Sequence, residues 1–94
     1  MPYTYILECS DGTYYVGSTF DLERRLVQHS TGEGAEYTRR RRPVRVVWTA
    51  EFNSVRDAYF LEKQIQGWGH AKRRALIEGR FEDLPALART AKVR

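Results

Sequence analysis

Two phenols, a guanidinium, an imidazole and a carboxylate are the side chains of this sequence best suited to phosphate chemistry: Tyr5, Tyr15, Arg25, His29 and Glu62. An arginine's planar fork matches phosphate oxygens, phenol and imidazole can orient or accept a proton, and a carboxylate can hold a divalent cation. Glu62 stands out by its position. On a helix read from Ser54 to about Trp68, the residues Val55, Ala58, Leu61, Ile65 and Trp68 form an apolar stripe, and Glu62 falls inside it. An ionised carboxylate taken out of water costs several kcal/mol unless it is paired or coordinated. The position therefore calls for an ion pair with Arg25 or Lys63, exposure at the helix rim, or a cation such as Mg²⁺. Mg²⁺ often binds through one or two carboxylates, with waters and substrate phosphate completing its shell, so a lone glutamate is chemically sufficient.

Leu22, Arg25, Leu26 and His29 share one face of an earlier helix, whereas Arg24 points roughly the other way. On such a face Arg25 either lies along the apolar surface and pairs with a carboxylate or presents its fork to an anion. His29 either completes the core edge or works beside Arg25.

The elements that must position these groups follow from periodicity. Tyr3 to Cys9 and Thr13 to Val16 read as a β-hairpin across Ser10-Asp11-Gly12. A two-residue Asp11-Gly12 loop puts Tyr5 and Tyr15 on opposite faces. A three-residue loop, with Gly12 left-handed as the bulge residue, pairs Cys9 with Thr13 and puts both tyrosines on one face. A shared site requires the second. Ser18 or Thr19 is expected to cap a helix from about Asp21 to His29, with Ser18 and Asp21 at capping-box spacing. A loop holding Gly32, Gly34 and the arginine run leads to a third strand, Val44 to Phe52. Ser54 then caps the long helix, Gly67 and Gly69 break it, Ala71 to Glu78 forms a short basic helix, and Asp83 opens a last amphipathic segment with Leu84 and Leu87. The fold class is α/β of the α+β kind: a small three-stranded antiparallel sheet flanked by helices. One domain is expected over residues 1–94, with a core at about 3–78 and a helical extension at 79–94.

A chain of 94 residues with 41% hydrophobic residues can bury one modest core. One cysteine, Cys9, cannot make an internal disulfide and suits a reducing cytoplasm, where it reads as core because no base adjoins it. No basic leader and no long apolar run is present, so no membrane association is expected. The net charge of +4 favours a polyanion partner. Its distribution says more: Arg39, Arg40, Arg41 and Arg42 form a run beside Tyr37 that suits phosphate contacts, with Lys72, Arg73 and Arg74 as a weaker cluster. Trp48 and Trp68 read as core residues.

Taken together, Tyr3-Thr4-Tyr5, Tyr15-Val16-Gly17, Arg25 and Glu62 resemble the GIY-YIG nuclease domain, most closely its small stand-alone bacterial members, over about Tyr3 to Ile77. The resemblance implies a Mg²⁺-dependent DNA endonuclease, with Mn²⁺ as a substitute and no small-molecule cofactor. It implies Tyr5, Tyr15, Arg25 and His29 as catalytic residues, Glu62 as metal ligand and Gly17 as the glycine closing the second motif. Arg25 would stabilise the transition state, Tyr15 would orient or deprotonate the attacking water once nearby cations depress its pKa, and His29 would relay the proton. Arg39 to Arg42 and Lys72 would contact DNA. The first motif departs from Gly-Ile-Tyr, and no additional DNA-binding domain is visible, which argues against recognition of a long sequence. The alternative on the same fold is a non-catalytic nucleic-acid-binding module.

Overall fold

The computed structural model describes residues 1–84. Strands β1 (Tyr3–Glu8), β2 (Tyr14–Thr19) and β3 (Arg45–Glu51) form one antiparallel sheet in the order β2-β1-β3. Helices α1 (Leu22–Thr31), α2 (Glu36–Arg39), α3 (Val55–Gln66) and α4 (His70–Ile77) surround it, and a single 3₁₀ turn spans Phe81–Asp83. The α+β class and the three-stranded sheet are those expected. As the central strand, β1 is the most apolar and the most buried, with Thr4 to Leu7 fully enclosed.

The hairpin has the three-residue loop. Cys9 N donates to Thr13 O at 2.8 Å, Gly12 N donates to Cys9 O at 3.0 Å, and Gly12 sits at φ 83°, a conformation only glycine adopts without strain. Asp11 holds the tip by accepting from the Thr13 amide and hydroxyl at 3.1 and 2.6 Å. The resulting register pairs Tyr5 with Gly17 and Leu7 with Tyr15, so both tyrosines lie on one face.

The two faces have different covers. Tyr5 meets His29 of α1 on the first. On the second, Thr4 donates to Ala58 O at 2.6 Å, and Ile6 and Val16 form the core with Ile65 of α3 and Leu76 of α4. Trp48, Trp68 and Leu84 pack against that core. Cys9 is buried, which pushes its thiol pKa up and leaves it inert.

Four local expectations are corrected. Asp21 caps α1, accepting from Arg24 N at 3.1 Å, because Ser18 is still inside β2 and its hydroxyl is engaged elsewhere. The segment between Gly34 and Pro43 is not all loop: α2 takes Glu36 to Arg39, a stretch too short to show a period. Val55 is 56% exposed, so the buried stripe of α3 starts at Ala58. At the end of the described residues a 3₁₀ turn stands where the amphipathic segment was to begin, and Leu87 lies outside them. Ser54 caps α3 by accepting from Asp57 N at 3.1 Å, as its spacing indicates, and Gly32 ends α1 at φ 88°.

Candidate active site

On the first face of the sheet a chain of hydrogen bonds runs inward. Tyr5 Oη and His29 Nε2 are 2.8 Å apart, His29 Nδ1 and Thr38 Oγ1 are 2.8 Å apart, and Thr38 Oγ1 donates to Ala35 O at 2.9 Å. The Thr38 hydroxyl has one proton, and a carbonyl can only accept, so that proton goes to Ala35. His29 must then donate from Nδ1 to Thr38 and accept at Nε2, and Tyr5 must donate its phenol proton to His29. Tyr5, His29 and Thr38 are at most 1% exposed, and among the described residues every buried side-chain polar atom has a partner.

Two glycines make room for this chain of bonds. A Cβ on Gly17 would stand 2.5 Å from Tyr5 Oη, and one on Gly34 would strike His29 Nδ1. Gly17 is thus a steric requirement of the Tyr5 ring rather than a turn residue. Tyr15 completes an aromatic cluster, 5.3 Å from the His29 ring, 6.5 Å from Tyr5 and 6.1 Å from Tyr37 by ring centroids.

Burial sets the protonation states. The Tyr5 phenol is pushed up to about 12 by desolvation and by Tyr15, against the pull of the Arg25 guanidinium. Tyr15 is also raised, by burial and then by Glu62, with Arg25 and Lys63 opposing. The sequence reading has Arg25 and a bound metal together depress the Tyr15 phenol; Arg25 does act in that direction, and among the protein's own groups desolvation outweighs it. His29 is pushed down by burial and by Arg25, which favours the neutral ring the hydrogen bonds require.

Glu62 arrives from the second face. Its side chain is 13% exposed; Oε1 accepts from Ser18 Oγ at 2.5 Å and Oε2 from Gln66 Nε2 at 2.8 Å. Gln66 also donates to Val16 O at 3.2 Å, on the edge of β2 that pairs with no strand. Glu62 therefore stands where the two faces meet, close enough to raise both phenols. Of the pairings open to it, Lys63 at 3.9 Å is loose and no ion pair to Arg25 forms among the described residues. Neutral donors fix the carboxylate without cancelling its charge, which fits it to hold a hard cation. Among the described residues no cluster of three or more His, Cys, Asp or Glu offers a complete protein cage, so water and phosphate would fill the remaining positions.

Arg25, half-buried, is held by Gln28 Oε1 at 3.1 Å and lines an open pocket of about 270 Å³ with Thr19, Arg24 and Gln28. The arginine run is less free than a solvated loop. Arg39 and Arg40 both pair with Glu36, and Arg42 donates to Arg39 O and Ser30 O. Arg41 pairs with Asp11 at 3.0 Å and stacks over Tyr37 at 3.8 Å, which links the run to Tyr15. Lys72 does not join this group; its ammonium stands 4.1 Å over the Trp68 ring. Arg73 donates to Ile65 O and Gln66 O and so closes the C-terminus of α3.

This assembly has a counterpart among known proteins. The family model of the GIY-YIG catalytic domain matches residues 1–75. The chain belongs to the GIY-YIG family. A GIY-YIG catalytic domain is a nuclease domain, acting on nucleic acid and generally using a divalent metal. Relatives include a UPF0213 protein of Halobacterium salinarum, 45% identical over 82% of this chain and 100% of its own length. A UPF0213 protein of Streptococcus agalactiae is 55% identical over 60% of this chain and 64% of its own length, so this chain spans under two-thirds of that relative. The solution NMR structure of the UPF0213 protein BH0048 from Bacillus halodurans is 42% identical with a TM-score of 0.55, covering 83% of this chain and 84% of that one. No helix among the described residues is long and apolar enough to cross a membrane.

Reading the sequence alone did not place Ser18, Thr38, Gln66 or Gly34 in this candidate site, and took Tyr37 only as a neighbour of the arginine run. Gln66 had a signal, since it follows Glu62 by one helical turn. Gly34 had none, because its need for space exists only once His29 is in place.

Proposed function

We propose that this GIY-YIG chain is a metal-dependent DNA endonuclease, working in the cytoplasm on DNA structures or weakly preferred sequences, with Mg²⁺ or Mn²⁺ held at Glu62. The observation that carries this reading is a partly buried carboxylate fixed by two neutral donors beside Tyr15 and within the electrostatic reach of the Arg25 site. A carboxylate at this depth whose hydrogen bonds come only from neutral groups keeps its negative charge available to a cation.

The bound cation would polarise the scissile phosphate, stabilise the leaving oxygen and oppose the rise in phenol pKa. Arg25 presents its guanidinium to the phosphoryl oxygens in the pocket at the start of α1 and meets the charge that grows there in the transition state. Tyr15, half-buried, is the phenol that faces outward and orients the attacking water. Tyr5 is fully enclosed and works as a positioning residue, anchoring His29 through the proton it donates. His29, kept neutral, accepts that hydrogen bond at Nε2 and donates from Nδ1 to Thr38, which fixes its ring beside Tyr15. Arg39 to Arg42 hold phosphates flanking the cut, and Lys72 adds a weaker contact from α4.

The raised phenols favour the second reading, a DNA-binding module without turnover, because neither is a ready base on its own. Labelled duplex, branched and single-stranded DNA incubated with Mg²⁺ or chelator separates the two. Wild-type protein should cut only with the cation, and Glu62→Gln should cut at least about 100-fold more slowly while melting at an unchanged temperature. Wild-type cutting by a folded Glu62→Gln chain removes Glu62 from the site and leaves the binding module.

A further inference from the structure

The outer surface of α3 carries two large aromatic side chains in water. Tyr59 is 53% exposed and Phe60 is 67% exposed, although both sit in the middle of a helix whose other face is the core. Cations surround them: Arg56, Tyr59, Phe60, Lys63 and Gln64 line one open, apolar pocket of about 450 Å³. The Lys63 ammonium stands 4.9 Å over the Tyr59 ring and 3.9 Å from the Glu62 carboxylate, so the patch is continuous with the candidate metal ligand. Tyr59 precedes Glu62 by three residues and Lys63 by four, so these three adjoin on the helix, while Phe60, two residues before Glu62, lies farther round α3 from the carboxylate.

Exposed apolar surface beside cations and a phosphate-cleaving centre has one well-matched occupant. A paired base in a duplex hides its faces, and its helix offers phosphates to arginines and lysines without any surface for an aromatic ring. An unpaired nucleotide offers both a π-face and a phosphate, which is what Tyr59 and Phe60 with Arg56 and Lys63 provide. A second copy of this chain would meet like charges, Arg56 and Lys63, at the same patch.

We propose that Tyr59 and Phe60 form a stacking platform for unpaired bases leading away from the scissile phosphate, with Tyr59 the nearer ring, so that the enzyme takes single-stranded or single-strand-containing DNA in preference to uniform duplex. This rests on the reading of Glu62 as the metal-holding residue of a DNA-cutting site. The platform itself is tested without cutting.

Affinities of full-length protein for a labelled single-stranded oligonucleotide and for a blunt duplex are measured in chelator by fluorescence anisotropy. Replacing Tyr59 and Phe60 together by leucine keeps apolar bulk and removes the rings. Single-strand affinity should fall about five- to 150-fold per stacked base, the equivalent of about 1–3 kcal/mol, with duplex affinity changing less than about twofold. The Tyr59→Trp chain should keep wild-type single-strand affinity. Equal losses on both DNA forms, or no loss, overturn the proposal. So does a concentration-dependent dimer in sedimentation that the leucine pair abolishes while single-strand affinity stays. Because no metal is present, a failure of Glu62→Gln to impair cutting leaves these outcomes distinct.

Discussion

The two halves of the site are built by opposite means. On one face of the sheet, Tyr5, His29 and Thr38 are sealed from water and their side-chain polar atoms are satisfied within the chain. At the open edge of β2, Glu62 is held by a serine hydroxyl and a glutamine amide, with Lys63 3.9 Å away as a loose ionic partner. A buried, saturated network resists rearrangement because any displaced member strands a partner. The edge half can exchange a ligand without disturbing the core. The difference teaches that a preorganised network and an accessible carboxylate are built on different faces, and that the two phenols feel both.

Perturbations should therefore separate by half. Gly34→Ala forces the His29 ring away from Thr38 and should cost about 1–3 kcal/mol of stability, read as a lowered urea midpoint, and reduce cleavage along with it. A wild-type midpoint would show that the buried half yields more easily than its packing implies. Ser18→Ala acts on the other half: it frees one oxygen of Glu62, so metal-supported cleavage should fall roughly 10- to 100-fold while the urea midpoint hardly moves. A large stability loss there would erase the distinction between the halves.

Acidity tests the buried half again. His29 has a lower pKa folded than unfolded, so the unfolded chain binds the proton more readily and the stabilisation is present above about pH 6.5, then lost as pH falls through the folded value. Tyr5 works in the opposite sense, its contribution holding below about pH 10 and fading as pH rises through about 12. Urea midpoints measured between about pH 7.5 and 5 should fall, and His29→Gln should start lower but show a flatter decline. Equal slopes would place the titration on another group. The smallest effect concerns the exposed arginines. Replacing Arg39 and Arg40 together by alanine should flatten the log-affinity against log-salt slope on duplex DNA by about 0.9 for each phosphate that is no longer neutralised. An unchanged slope would leave their pairing with Glu36 as their whole role.

Much of this architecture was legible in the residues. Requiring Tyr5 and Tyr15 to share a face selected the three-residue loop, and Gly12 supplied the backbone conformation it needs. Ser54, Gly32 and Gly67 marked helix ends for reasons internal to each helix. The failures have two causes: α2 is too short to show a period, and other residues have partners distant in sequence. Ser18 has the spacing of a helix cap, yet it serves Glu62, 44 residues away, and Asp21 caps α1 instead. How far burial raises the two phenols beside Arg25 is likewise set by packing that no pattern of types reveals. Glu62 itself was readable because a carboxylate in an apolar stripe is a local contradiction.

The bond from Gln66 to the Val16 carbonyl has a meaning beyond the site. β2 is an edge strand, and an edge with open backbone groups is a template on which another chain can add itself as a further strand. Gln66 takes one of those groups, and α3, lying alongside, limits approach to the rest. The opposite edge, β3, is guarded differently, by the register shift opposite Ile6 and Leu7 and by Arg45 projecting into water. A glutamine that steadies the Glu62 carboxylate thus also occupies part of that edge, so Gln66→Ala is a substitution whose harm would surface as aggregation at high protein concentration even where each single molecule folds normally.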